Sequence, residues 1–217
     1  MATDNPARRA EMKKPNIGVL ALQGAVREHL RMLEDCGARG IAVRYPAELQ
    51  LCRGLIIPGG ESTTIGKLMS AFGFIDEIRL LWREGVPVYG TCAGLILMAK
   101  RIAEGGRPLL GLMDITARRN AFGRQVDSFE TDLEMKGIAE SNRPFRAVFI
   151  RAPWIDEAGP EVEVLGEFGG RVVAARQDGM LVTAFHPELT GDDRVHRYFL
   201  AMVEEASRSR AAAETGG

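Results

Sequence analysis

Cys92 stands in Gly90-Thr91-Cys92-Ala93-Gly94, the Gly-x-nucleophile-x-Gly spacing of a strand-turn-helix elbow. Such a turn is sharp, so its flanking residues must be small, and its central side chain points out of the sheet. A thiol at the N-terminus of the helix that follows is favoured as thiolate by the helix dipole. The expected chemistry is nucleophilic attack. A base and its orienter are available in His186-Pro187-Glu188, after the strand-like run Met180-Leu181-Val182-Thr183-Ala184-Phe185. In an extended chain residues two apart share a side, and Pro187 keeps His186 out of a helix. Glu188 can then fix one imidazole nitrogen while the other faces the thiol, the logic of a Cys-His-carboxylate triad. A third stretch, Pro58-Gly59-Gly60-Glu61-Ser62, ends a strand and opens a helix. Its adjacent glycines can turn backbone N–H groups into a cleft, as an oxyanion hole requires.

Positioning these groups calls for strands alternating with helices. Ile17–Leu22, Ile41–Tyr45, Leu55–Ile57 and Val86–Tyr89 are short apolar runs expected as buried strands. Between them, Val26, Leu30 and Leu33 recur at helical spacing up to a stop at Gly37, Ser62-Thr63-Thr64 offer caps for a helix through Phe72, and Asp76–Arg83 reads as another helix. Leu95–Lys100 continues the elbow as a buried helix. This alternation predicts an α/β, doubly wound, mostly parallel sheet with helices on both faces. The strand-like runs Arg146–Arg151, Val162–Leu165, Arg171–Gln177 and Met180–Phe185 are closely spaced, which predicts antiparallel pairing in the C-terminal half. Asp192–Ala206 closes as a helix. A single domain over 15–206 is expected, between a polar leader (1–14) and a flexible tail (207–217).

The chain has 217 residues, 46% hydrophobic content and a net charge of −1. That is enough for one sizeable core, and the balance gives no reason to expect nucleic acid or an anionic membrane as partner. No apolar run has the length of a membrane span, and the N-terminus lacks a secretory signal. A cytoplasmic enzyme is expected. Cys36 and Cys52 lack the context of Cys92 and are expected to pack. His29, His186 and His196 are scattered in sequence and form no metal-ligand spacing.

Taken together, the elbow, the Gly-Gly loop and His-Pro-Glu resemble the class I, triad-type glutamine amidotransferases. Leu20-Ala21-Leu22-Gln23-Gly24-Ala25-Val26-Arg27-Glu28-His29 and Arg119-Asn120-Ala121-Phe122-Gly123-Arg124-Gln125 narrow the resemblance to the glutaminase subunits of pyridoxal 5′-phosphate synthase. It runs from about Ile17 to about Glu205. The resemblance implies Cys92 as nucleophile, His186 as base and Glu188 as orienter. It implies glutamine contacts from Gly60, Glu61, Ser62, Arg119, Ile150 and Arg151, an oxyanion hole from the backbone at Gly60 and Ala93, and Gln23 near a partner interface. It implies no metal and no cofactor, pyridoxal 5′-phosphate being the product of the complex. Ammonia would pass to a separate (β/α)₈ synthase subunit that uses ribose 5-phosphate and glyceraldehyde 3-phosphate, within a large hetero-oligomer; the chain's length leaves no room for that synthase. Two departures from the family pattern are the long leader before Lys14 and Trp154 after Ala152-Pro153. The competing readings are the same half-reaction serving another synthase, such as imidazole glycerol phosphate synthase, and a non-catalytic Cys-elbow binding or stress protein. The His-x-Glu pair after a terminal strand argues against the last.

Overall fold

A computed structural model describes residues 14–119, 128–140 and 142–215. In chain order its elements begin with β1 (Asn16–Leu20), α1 (Val26–Asp35), β2 (Arg39–Val43), β3 (Gly54–Ile57), α2 (Ser62–Ala71), α3 (Phe74–Arg83), β4 (Val88–Thr91) and α4 (Ala93–Met98). They continue with β5 (Ala99–Ile102), β6 (Met113–Arg118), β7 (Ser128–Leu133), β8 (Phe145–Ile150), β9 (Trp154–Ala158), β10 (Glu163–Phe168), β11 (Arg171–Gln177), β12 (Met180–Thr183) and α5 (Arg194–Thr215).

The main sheet has the order β2-β1-β3-β4-β12-β11-β9-β6-β5, with β10 paired to β11. From β2 to β12 every pairing is parallel. All four residues of β3, of β4 and of β12 are buried. Strands covered on both faces need apolar residues on both, which is why their sequences read as unbroken runs. Beyond β12 the pairings β12-β11, β11-β9 and β9-β6 are antiparallel, and β7-β8 forms a separate antiparallel pair.

Strand β4 shows how the two faces are covered. Side chains alternate along a strand, so Tyr89 and Thr91 share one face. There the Tyr89 ring meets His196 and Phe199 of α5, and Thr91 meets His29 of α1. Gly90 faces the other way, onto α4. A Cβ at Gly90 would lie 2.6 Å from the Gly94 carbonyl carbon, and one at Gly94 would lie 2.2 Å from the Ile57 oxygen. The elbow glycines are there because helix and strand backbones touch.

The structure differs from the sequence reading at several boundaries. Helix α4 ends at Met98, and Lys100 belongs to β5. Helix α2 is capped by Glu61, whose carboxylate accepts from the Thr63 and Thr64 N–H groups, rather than by the hydroxyl residues after it. The expected tail from Ser207 is helical: α5 runs to Thr215, with Ser207 Oγ donating back to the Val203 carbonyl at 2.8 Å. Ala211-Ala212-Ala213 there are the strongest helix formers, and the polar composition suggesting a tail is that of an exposed helix. The leader lies outside the described residues but for Lys14. Strands β5, β6, β7 and β9 carry charged residues between apolar ones and had no clear signal.

Candidate active site

The carboxyl ends of β1, β3, β4 and β12 open on one cavity of about 500 Å³. The chain moves from β1 to β2 on one side and resumes at β3 on the other, so this is the crevice where strand order reverses, the usual ligand position in an open α/β sheet. Gln23, Gly60, Glu61, Ser62, Cys92, Ala93, Arg119, Ile150, Arg151 and His186 all line it. Glu188, the remaining residue of the predicted set, is buried behind His186.

Cys92 leaves β4 with φ 47° and ψ −98°. A non-glycine residue there is strained by on the order of 1–3 kcal/mol, and packing holds it: its N–H donates to the Thr183 carbonyl at 2.8 Å. The thiol donates to the Ile150 carbonyl at 3.9 Å and lies beside the His186 ring. The register pairs Thr91 with Thr183, so the segments carrying Cys92 and His186 leave adjacent parallel strands at the same height. His186 is fixed by its N–H to the Val148 carbonyl at 2.8 Å and follows Phe185, which is wedged between Phe145 and Phe149.

His186 Nδ1 lies 2.7 Å from Glu188 Oε1. The sequence reading reached this pair through an extended chain, but Pro187–Leu189 is a 3₁₀ turn. Proline's fixed φ suits the first position of such a turn, and the turn brings Glu188 under the ring. Burial opposes charge on His186, but hydrogen bonds to Cys92 and Glu188 and the Glu188 charge outweigh it and push the imidazole up to about 10. Burial likewise opposes ionisation of Glu188, and the neighbouring His29 and His186 overcome it, holding the carboxyl at about 2. Burial pushes His29 down from its ordinary value, so the cation facing Glu188 at neutral pH is His186. The arrangement is an imidazolium held between the Cys92 sulfur and the Glu188 carboxylate.

The Gly59–Gly60 loop is held at three points. Gly59 N–H donates to Thr91 Oγ1 at 2.8 Å, Gly59 carbonyl accepts from Ala25 N–H at 3.1 Å, and Glu61 N–H donates to Gln23 Oε1 at 2.8 Å. Among the described residues, the Gly60 and Ala93 N–H groups have no hydrogen-bond partner. Gly59, its own N–H occupied, is excluded as an oxyanion donor in this arrangement. The Glu61 carboxylate is committed to Thr64 and Thr63, whose hydrogen bonds hold it down to about 2, so what it offers the cavity is chiefly its backbone. Arg151 adopts φ 41° at the end of β8. Arg119 N–H is anchored to Glu104 at 3.0 Å; the rest of its motif, 120–125, lies outside the described residues. Trp154 turns its indole N–H to Asp156 at 2.5 Å and stacks under Arg171, away from the triad.

The sequence reading missed Thr91, His29 and His196, which form a buried chain behind the triad. Signals were present: Thr91 is a polar residue in an apolar strand, and His29 lies between Val26 and Leu33 on the buried face of α1. Cys52 packs as expected and Cys36 is half-buried; burial pushes both thiols up to about 11. Among the described residues no group of His, Cys, Asp or Glu could hold a metal ion, and no helix is long and apolar enough to cross a membrane.

Comparison with known proteins identifies the fold and the family. The chain is 57% identical over 193 residues to pyridoxal 5′-phosphate synthase subunit PdxT of Pelotomaculum thermopropionicum, covering 89% of this chain and 97% of that protein. It is 59% identical over 190 residues to the subunit of the same name from Herpetosiphon aurantiacus, covering 86% and 99%. A crystal structure of a glutamine amidotransferase superposes with a TM-score of 0.81 at 48% identity, over 87% of this chain and 98% of the other. PurLQS from Thermotoga maritima, at 16% identity and a TM-score of 0.68, shares the fold. The model of the SNO glutamine amidotransferase family matches residues 19–205, and with the relatives covered almost end to end, this chain belongs to that family.

Proposed function

We propose that the chain is the glutaminase subunit of a pyridoxal 5′-phosphate synthase, hydrolysing L-glutamine to glutamate and ammonia. The observation that carries the reading is the line Cys92–His186–Glu188 facing a cavity with two unclaimed N–H groups, Gly60 and Ala93. Relatives named as subunits of that synthase support the choice of complex.

In this reading Cys92 sulfur, as thiolate beside the His186 imidazolium, attacks the side-chain carbonyl carbon of glutamine, forming the C–S bond. The oxyanion is stabilised by the Gly60 and Ala93 N–H groups, a contribution worth roughly 3–4 kcal/mol per donor in comparable sites. His186 gives its proton to the departing nitrogen, the C–N bond breaks, and ammonia leaves. His186, now neutral, takes a proton from water as it attacks the glutamyl thioester, releasing glutamate and restoring the thiolate. Glu188 stays ionised throughout and holds the ring. Ser62, Arg119, Ile150 and Arg151 contact the glutamine, with Gly60 and Glu61 presenting backbone.

The ammonia passes to a separate (β/α)₈ synthase subunit, which combines it with ribose 5-phosphate and glyceraldehyde 3-phosphate in a large cytoplasmic hetero-oligomer. Gln23, at the cavity rim and hydrogen-bonded to the Gly60–Glu61 loop, is where docking of that subunit can set the loop. The chain itself needs no cofactor; pyridoxal 5′-phosphate is the product of the complex. The test is glutamate release from glutamine by the reconstituted pair, followed by pyridoxal phosphate formation. Release is expected to require the partner and to vanish in Cys92→Ala; release retained by Cys92→Ala removes the triad reading.

A further inference from the structure

Behind the triad lies a line of polar side chains that the proposed hydrolysis does not use. His29, Thr91 and His196 are all 0% exposed. His29 Nε2 stands 3.2 Å from Thr91 Oγ1 and 3.5 Å from Glu188 Oε2. His29 Nδ1 stands 2.9 Å from His196 Nε2. Glu188 Oε2, for all its approach to His29, and His196 Nδ1 are buried with no hydrogen-bond partner among the described residues. A buried carboxylate oxygen without a donor is costly, and the side-chain nitrogen that approaches it among the described residues is His29 Nε2.

The proton positions follow from elimination. Were the proton on His29 Nδ1, the Nε2 lone pair would face the Glu188 carboxylate, and His196 would be left with an unpaired buried N–H. With the proton on His29 Nε2, it is shared between Glu188 Oε2 and Thr91 Oγ1. His29 Nδ1 then accepts from His196 Nε2–H, and what is left on His196 is a lone pair, the lesser penalty. Thr91 Oγ1 also accepts the Gly59 N–H. One imidazole is therefore shared by the second oxygen of the triad carboxylate and, through one hydroxyl, by the loop that carries the Gly60 amide. The Tyr89 ring, edge-on to both imidazoles, fixes their planes.

We infer that His29, clamped by His196, is a positioning residue that holds Glu188 and the Gly59–Gly60 loop in register with each other. The inference rests on the proposed hydrolysis for its kinetic consequence, but the arrangement bears on Cys92 reactivity whatever the substrate. The test compares His29→Leu with His29→Gln in the reconstituted complex. Glutamine keeps an amide donor at the Nε2 position and an acceptor toward His196; leucine keeps volume alone. Two readouts are used: kcat and KM for glutamate release, and the rate at which iodoacetamide alkylates Cys92 at neutral pH, followed by mass spectrometry of the Cys92 peptide.

His29→Leu is expected to lower kcat roughly ten- to a hundredfold, the range for losing a hydrogen bond to a buried charge, with KM little changed, and to slow alkylation about tenfold. His29→Gln is expected to recover both to within a few-fold of wild type. Equal losses in both variants, or wild-type alkylation in a folded His29→Leu protein, overturn the inference. If His29→Leu does not fold, Thr91→Val removes the hydroxyl that joins the imidazole to the loop, and unchanged kcat and alkylation in that variant likewise overturn it. A wild-type complex that releases no glutamate removes the proposed function while alkylation still decides the role of His29.

Discussion

Gly59→Ala adds one methyl group at the point where loop, nucleophile and base converge. The new Cβ would stand 2.3 Å from His186 Cε1, 2.9 Å from His186 Nδ1 and 3.3 Å from Cys92 Cβ. The φ of Gly59 lies outside the left-handed region, so alanine meets no backbone penalty and the effect is steric. Ordinary van der Waals contact begins at 3.4 Å, so loop and ring must part by about 1.1 Å. The loop is pinned by Thr91, Ala25 and Gln23, so the ring is the part that yields. A ring moved by that much is pulled off the geometry of its 2.7 Å bond from Nδ1 to Glu188. A displacement of this size at a reacting group costs on the order of a hundredfold in rate, and the overpacking itself about 1–3 kcal/mol of stability. The assay is kcat for glutamate release by the reconstituted complex, with urea unfolding of the same variant in parallel. A folded Gly59→Ala protein within about threefold of wild-type kcat would show that the ring is free to move without consequence, and the argument from close packing would fail.

Two further outcomes follow from buried polar side chains. Arg194 donates to the carbonyls of Ala139, Glu140, Arg143 and Pro144 and to the Asp192 carboxylate; Arg194→Ala leaves these unpaired and should cost about 3–5 kcal/mol, measured by urea unfolding. A loss under about 1 kcal/mol would mean water replaces the guanidinium. Burial, then the neighbouring His29, pushes His196 down to about 3, so below pH 6.5 the unfolded chain takes a proton that the folded chain refuses, and stability falls with pH. His196→Phe should flatten that fall by about 1.4 kcal/mol per pH unit; equal slopes of unfolding free energy against pH would sink the assignment. His186 acts in the opposite sense: with its imidazole raised to about 10, its contribution is complete below pH 6.5 and is lost as pH rises through 10.

The central strands and the triad were legible because they obey short-range rules. Parallel strands buried on two faces need continuous apolar runs, and an elbow needs glycines at fixed spacing, so β3, β4 and the Cys92 turn could be read directly. The pairing of His186 with Glu188 was legible from spacing, although a 3₁₀ turn achieves it and not an extended strand. What escaped reading was set by distant partners. Strands β6 and β9 have charged residues such as Asp114 and Asp156 that pair with Arg101 and Arg118 across the sheet, and no local pattern announces that. His29 and His196 are far apart in sequence and meet because α1 and α5 share a face. Glu61 caps α2 with a carboxylate where hydroxyl residues beside it looked equally able.

The register that pairs Thr91 with Thr183 has a consequence for how such a protein can vary. Cys92 and His186 are placed by two neighbouring strands, while the chain between them leaves the parallel strands, builds β5 to β11, and returns. Arg119, Ile150 and Arg151 ride on that excursion. In the proposed reading, the part that reacts and the part that grips are therefore separable along the sequence, and an excursion of different length or composition can be exchanged as long as its ties to Cys92 and His186 are kept. The ties a replacement must reproduce include the His186 N–H to the Val148 carbonyl, the Cys92 thiol to the Ile150 carbonyl, the packing of Phe185 between Phe145 and Phe149, and the pairing of β11 with β12. On the proposed function, a grafted segment that keeps those ties would leave Cys92 and His186 in place while changing what faces the cavity.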